Sequence, residues 1–450
     1  RANCDRDFIV KVDGFKIVIL ATTASALQTA VDFFVETFCK NEDTWKLLRQ
    51  NYKFIYEHEF KTGELTLNGK KLSDYRFVVS NEALVVYYKE IQNFCDIYED
   101  AKGTRITIVD DTTEPQENEI IVGPTKRSES IKDLGASQYK LEMMGSKLLI
   151  DGSDAAACAK GVKKLTEQLN KALDENTAVD LPADYSLKEA FNPDDDDYRL
   201  VWNEEFNKLD TNLWVPYLDK QGVMDKVSIR DGCVVIPAYR NADGTTKSQQ
   251  ISTWRTFGFL YGSIEFRAKL GVFPAANALW FFGRTDIYNG NVVEIDLLED
   301  FTKKGNGFDA NVHRYWSNIS AATNKSTSYH IGTDGSVLDK LREYKQEEQL
   351  SERFHIYTFT WTPDELSFAV DGKIFWTYDA FNDPLGLGDD FLDLPMDSIL
   401  MSCGLSADGS YGFKWQEGDP TYVELLVDYI RLYQKPSENG YIMYNREIVK

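Results

Sequence analysis

The chain has 450 residues, 43% of them hydrophobic, and a formal net charge of −22. That length gives room for two or three domains with ordinary cores. The acidic surface excludes general electrostatic binding of nucleic acid, anionic membranes or strongly sulfated polymers, and suits a neutral partner. No apolar run approaches the ~20 residues of a membrane-spanning helix. The chain begins at Arg1 with no Met and no signal-peptide pattern, which leads us to expect a processed piece of a longer polypeptide. Six scattered cysteines show no zinc spacing and read as free thiols.

In chain order, residues 8–40 read as two strands around Asp13-Gly14 and a helix. Ala26, Leu27, Ala30, Val31, Phe34 and Phe38 recur at helical spacing. The pattern returns at 139–170: Gly14 aligns with Gly145, Lys16 with Lys147, Ile19 with Ile150 and Val31 with Val162, without a gap. This is an internal repeat. The second copy is preceded by a front half that the first lacks. It has strands at 72–80, 105–109 and 119–122, and a helix capped by Asn81 that carries Leu84, Val85, Tyr88, Ile91 and Phe94. We therefore expect residues 1–59 to be the back half of a truncated α/β unit, and residues 60–175 to be a complete one against which it packs.

Glu119 to Pro124, the Gly145 turn and the helix that follows resemble the small auxiliary domain ahead of the barrel in β-hexosaminidases and α-glucuronidases. The resemblance implies a spacer or packing role without catalytic groups; a glycan-binding module is the alternative. Residues 176–197 read as a linker, broken by Pro182 and Pro193. Its run Asp194 to Asp197 fits a solvated segment better than a metal site, because adjacent carboxylates point different ways.

From Tyr198 onward, short runs of aromatic and β-branched residues alternate with Gly, Asp, Asn and Pro turns. Asp231-Gly232 and Asp371-Gly372 are hairpin signals. The texture predicts one β-sandwich or barrel over 198–436, expected to stand alone, with 437–450 as a tail. Within it lies Val293-Glu-Ile-Asp-Leu-Leu-Glu299. Strand alternation puts Glu294 and Asp296 on one face, and strict alternation would put Glu299 on the other. One extra residue, a bulge at Leu297-Leu298, would return Glu299 to their side. Converging acids raise one another's pKa. A glycosidase uses this, with one carboxylate attacking the sugar while a protonated one serves the leaving oxygen. Acids on a solvated strand face are the plain alternative.

The context favours the first reading. Leu200 to Phe206 with Leu209 to Trp214, Tyr261 to Lys269, Glu294 to Glu299, Phe354 to Pro363 with Phe368 to Gly372, and Leu426 to Tyr433 resemble, in order, the motifs of glycoside hydrolase family 16. The overall expectation is thus α/β (α+β) N-terminal units followed by an all-β jelly-roll sandwich. The resemblance implies Glu294 as nucleophile, Asp296 as its hydrogen-bonded tuner and Glu299 as acid/base. It places Trp280 as a sugar-stacking ring and His313 near the acid/base, with Trp316 and Trp415 as substrate platforms. A structural calcium of the family would fall on the backbone carbonyls of Glu205 and Gly232 and the carboxylate of Asp428. No other cofactor is implied.

The implied reaction is retaining endo-hydrolysis of a β-linked polysaccharide. A β-1,3- or mixed-linked glucan leads, and a galactan or host O-glycan follows. The run Gly271 to Trp280 departs from the family's pattern, as does Leu400 to Ser406, and both bear on substrate identity. The alternative is a catalytically weak or inactive carbohydrate-binding protein on the same fold. We expect a monomer, secreted or at the cell surface.

Overall fold

The computed structural model describes residues 6–128, 134–192, 195–217, 223–283, 291–301, 305–319, 326–330, 338–379, 395–406, 409 and 413–449. Side chains at 25, 42, 291, 292, 314–319, 326–330 and 338–340 are outside that description. The chain divides into two compact units. The first takes Arg1–Arg76, Asn93–Thr107 and Leu165–Pro182; the second takes Phe77–Gln92, Ile108–Lys164 and Ala183–Lys450.

In the first unit, β1 (Phe8–Asp13) and β2 (Lys16–Ala21) form a hairpin, followed by α1 (Ala24–Phe34) and β3 (Lys53–Tyr56). The sheet order is β2-β1-β3. Thr23 caps α1 by accepting from the Ala26 amide, which is what a β-hydroxyl ahead of a helix does best. Phe8, Val10 and Ala30 form the small core of this unit. Within this unit the His58 ring nitrogen Nε2 lies 3.0 Å from the Asp100 carbonyl.

The second unit takes most of an α/β layer made of β4 (Arg76–Val79), α2 (Val85–Lys102), β5 (Ile108–Asp110), β6 (Glu119–Val122), β7 (Gln138–Met144), β8 (Lys147–Gly152), α3 (Ala155–Asp174) and β9 (Ser186–Ala190), while the C-terminal parts of α2 and α3 count with the first unit. Its sheet runs β9-β7-β8-β6-β4-β5. The repeat is structural as well as sequential. Lys147 pairs with Met144 and Gly152 with Tyr139, as Lys16 pairs with Asp13 and Ala21 with Phe8.

The segment expected as a linker is not loose. It contributes Ala178–Leu181 and Ser186–Ala190 as strands. Lys160 bonds Asp195 and Asp197, each at 2.7 Å, and Lys163 also bonds Asp197. Lysines on one helix face gather Asp195 and Asp197 and remove the reason for those two to stay solvated.

The rest of the second unit is a two-sheet sandwich. Its strands used below are β10 (Phe257–Leu260), β11 (Gly262–Lys269), β12 (Ala276–Gly283), β13 (Asn291–Glu299), β14 (Gly307–Ile319), β15 (Ser398–Gly404), β16 (Tyr422–Gln434) and β17 (Tyr441–Tyr444). One sheet is built around β16, β11, His355–Trp361, Leu366–Val370 and Lys373–Tyr378; the other is built around Gln249–Ser252, β15, β12, β13 and β14. The inner faces of both sheets make one core, with Phe266, Phe281, Ile295, Phe359, Ile399 and Leu432 fully buried. This is the alternation expected of packed sheets. Both DG pairs make the predicted turns, with positive φ at Asp231, Gly232, Asp371 and Gly372.

Two further expectations change. Residues 437–450 are not a tail, since β17 pairs antiparallel with β10, and the Gln434 amide bonds the carbonyls of Leu260 and Tyr261 at 2.9 Å. Nor does the sandwich stand apart from the α/β layer. Arg267 on β11 bonds Glu82 at 2.6 Å, and a Cβ at Gly372 would stand only 3.0 Å from Tyr88. Among the described residues, no helix is long and apolar enough to cross a membrane.

Candidate active site

Strand β13 presents its acids through one irregularity. Against β12, Glu294 pairs with Phe282 and Asp296 with Trp280; the next pairs are Leu298 with Leu279 and Glu299 with Ala278. Leu297 is therefore the extra residue of a bulge. The neighbour on the other side agrees, as Glu294 pairs with His313, Asp296 with Asn311 and Glu299 with Asp309. Val293, Ile295, Leu297 and Leu298 all enter the sandwich core. The two adjacent leucines can both point inward only because the bulge breaks the alternation. Glu294, Asp296 and Glu299 are left together on the opposite face. Residues directly opposite on paired strands share a face, so Trp280, Phe282, Asn311 and His313 flank them.

Each acid has its own surroundings. Asp296 is only 2% exposed, and its Oδ2 lies 2.8 Å from the Nε2 of His313, which donates to it. Glu299 accepts from the Asn311 amide at 2.7 Å. Burial pushes the Glu299 carboxyl up to about 8; the negative charges of Asp296 and Glu294 add to that, while His313 and the Asn311 hydrogen bond oppose it. Glu299 is thus a carboxylic acid able to hold its proton at neutral pH. Asp296, Glu299 and His313 bring one polar atom each within 4.8 Å of one another. The spacing would also admit a cation, but Asp296 and His313 already bond one another and Glu299 is bonded by Asn311.

An aromatic cluster adjoins the acids. Trp280 is half-buried and meets Tyr217 edge-on at 5.6 Å and Phe282 edge-on at 6.2 Å. Tyr217, Trp254 and Leu400 are the buried members of the cluster. The Arg255 guanidinium lies over Trp254 at 4.3 Å. Sequence reasoning found Trp280 and His313 and missed Asn311, Phe282, Tyr217 and Trp254. Asn311 and Phe282 were reachable, because each lies two positions from a chosen residue on the same strand. Tyr217 and Trp254 come from irregular segments with no periodic signal.

The remaining expectations fare differently. The side chain of Trp316 lies outside the described residues. Trp415 sits beyond β15, with Arg240 over its ring at 4.2 Å and its indole N–H bonded to the Pro420 carbonyl at 3.1 Å. One face of that ring is already occupied by a cation. His355 is fully buried, with Nδ1 2.8 Å from Asp371, a fold-supporting place.

The calcium set does not suit a metal. Its one carboxylate ligand, Asp428, is bonded by Arg267 at 2.7 Å, while Glu205 and Gly232 would offer only backbone carbonyls. A calcium ion needs oxygen ligands at ~2.3–2.6 Å, and here it would face the Arg267 guanidinium.

Over 274 residues the chain is 24% identical to a keratan-sulfate endo-1,4-beta-galactosidase of Sphingobacterium multivorum, covering 53% of this chain and 56% of that protein. Over 282 residues it is 22% identical to glucan endo-1,3-beta-glucosidase A1 of Niallia circulans, covering 52% of this chain and 38% of that protein. The chain thus spans about half or less of the length of these two curated relatives. The laminarinase catalytic domain from Thermotoga maritima MSB8 has a TM-score of 0.42 at 23% identity, over 53% of this chain and 98% of that one. Residues 194–421, just over half of the chain, match the profile of Glycosyl hydrolases family 16. The chain belongs to that family.

Proposed function

We propose that this chain is a retaining endo-β-glycosidase that cleaves a β-linked polysaccharide by double displacement. The observation that carries the reading is the bulge, which sets Glu294, Asp296 and Glu299 on one face with Glu299 held near pKa 8. Glu294 attacks the anomeric carbon. The bond from that carbon to the bridging oxygen breaks, and Glu299 gives its proton to the departing oxygen. The sugar is left as an ester on Glu294. Water then attacks the same carbon, its proton passes to Glu299, and the Glu294 carboxylate leaves. Asp296, fixed by His313, favours the protonated form of Glu299 through its charge.

Trp280 supports sugar binding beside the acids, since a half-exposed indole gives an apolar surface to sugar C–H groups. The net charge of −22 favours a neutral glycan over a sulfated one. A β-1,3- or mixed-linked glucan is the leading substrate, and a galactan or O-glycan follows. A polymer of that size is met outside the cell, so secretion or surface display fits the reading. Incubation with laminarin, lichenan, agar, porphyran and a mucin-type O-glycan, with analysis of the released oligosaccharides, tests it. Internal cleavage of at least one is expected; cleavage of none would leave a binding protein on this fold as the better reading.

A further inference from the structure

The bulged strand ends in a buried polar contact that the reaction does not use. Asp300 directly follows Glu299, Asn277 lies on β12, and both are buried. The carboxylate oxygens of Asp300 accept from the Asn277 backbone amide at 2.6 Å and from its side-chain amide at 2.7 Å. The Asp300 amide donates back to the Asn277 carbonyl at 3.2 Å. The Asn277 side chain also accepts from the Gly271 amide at 2.9 Å and donates to the Gly271 carbonyl at 3.2 Å. Gly271 follows β11 of the other sheet, and a Cβ on it would stand only 3.0 Å from the Glu424 carbonyl of β16. The end of the bulged strand is thereby tied to both sheets.

A bulge is a place where register can slip, and a slip of one residue changes the face of every side chain beyond it. Glu299 pairs with Ala278, the residue after Asn277. The contact therefore sits one residue from the acid on one strand and one residue from its partner on the other. Burying a carboxylate is costly unless its bonds are made, so an apolar pair would serve stability as well. Burial pushes the Asp300 carboxyl up to about 7, and the Asn277 bonds hold it down. What directional bonds add over apolar packing is a single geometry. Gly271 and Asn277 both fall in the run 271–280, which departs from the family's pattern.

We propose that Asp300 and Asn277 are positioning residues, whose contact fixes the register after the bulge and so holds the Glu299 carboxyl in its half-buried place beside Glu294 and Asp296. The placement is a property of the fold; its use in turnover rests on the double-displacement reading.

Asp300→Asn keeps the volume and sets an amide against the Asn277 amide. Asn277→Ser keeps the backbone bond to Asp300 and removes the side-chain ones. Carbon-13 NMR titration of the Glu299 carboxyl reads the placement without any substrate. The sandwich core is filled, so a loosened strand end moves toward solvent. The Glu299 pKa should therefore fall from about 8 by ~0.5 unit or more in either variant. On a cleaved glycan, kcat should drop ~10-fold or more with KM within ~3-fold. Ile264→Val, which trims one methyl from the core at β11, should leave the Glu299 pKa and kcat in place. A Glu299 pKa that does not fall in the folded variants would overturn the proposal, as would an equal fall in Ile264→Val. A fall confined to the Asp300 and Asn277 variants, in a chain that cleaves no glycan, would uphold the positioning and count against the double-displacement reading instead.

Discussion

Asn311 and His313 stand two positions apart on β14 and serve different acids, Asn311 donating to Glu299 and His313 to Asp296. The Asn311 bond favours the ionised form of Glu299, against burial and the charge of Asp296. Glu299 must be protonated to help the leaving group, so activity should fall as pH rises through about 8. Replacing Asn311 with Leu removes a donor worth ~1 kcal/mol net, and the alkaline limb of kcat/KM should move up by roughly half to one pH unit. A limb that stays in place or moves down would show that Asn311 does not govern Glu299. Glu294→Gln removes the nucleophile and should cut turnover by ~10³-fold or more while oligosaccharide binding persists; binding can be followed by calorimetry. Loss of binding in step with turnover would mean that the site had collapsed.

The bulge is where the element decides the chemistry. The order of acids and leucines in Glu294 to Glu299 suffices to infer it, because only an extra residue reconciles three acids on one face with two adjacent leucines in a core. Deleting Leu298 should restore regular alternation and send Glu299 inward. It also removes a fully buried side chain, so stability and activity should both fall. Leu298→Ala separates the two effects, since it keeps the register and should cost ~2–5 kcal/mol of stability with turnover retained at low temperature. Denaturant unfolding and initial rates on both variants decide this; an active deletion variant would contradict the geometry. The strands, DG turns and repeat were legible because they are periodic or locally encoded. The Tyr217–Trp254 cluster, the Glu82–Arg267 ion pair and the pairing of β17 with β10 were not, because each joins residues far apart in the chain and leaves no local trace.

At the scale of the whole molecule, the sandwich is completed by segments on either side of it. Arg267 is shared between Glu82 and Asp428, and β17 closes the edge of β10. A fragment of 198–436 lacks Glu82 and β17. The fragment should melt below the full chain, by ~2–8 °C if one or two kcal/mol are lost, and calorimetry on the two proteins checks this. A fragment as stable as the whole would make the α/β layer a true spacer. Double displacement requires Glu294 and Glu299 to share a face closely enough for direct attack. A retaining pair lies ~5–5.5 Å apart, and an inverting pair needs roughly 6.5–9.5 Å for an intervening water. The most direct measurement is proton NMR of the first minutes of hydrolysis of a cleaved β-glycan. The β-anomer of the new reducing end should appear first, with the α-anomer following by mutarotation; an α-anomer appearing first would contradict the double displacement and the bulged arrangement behind it.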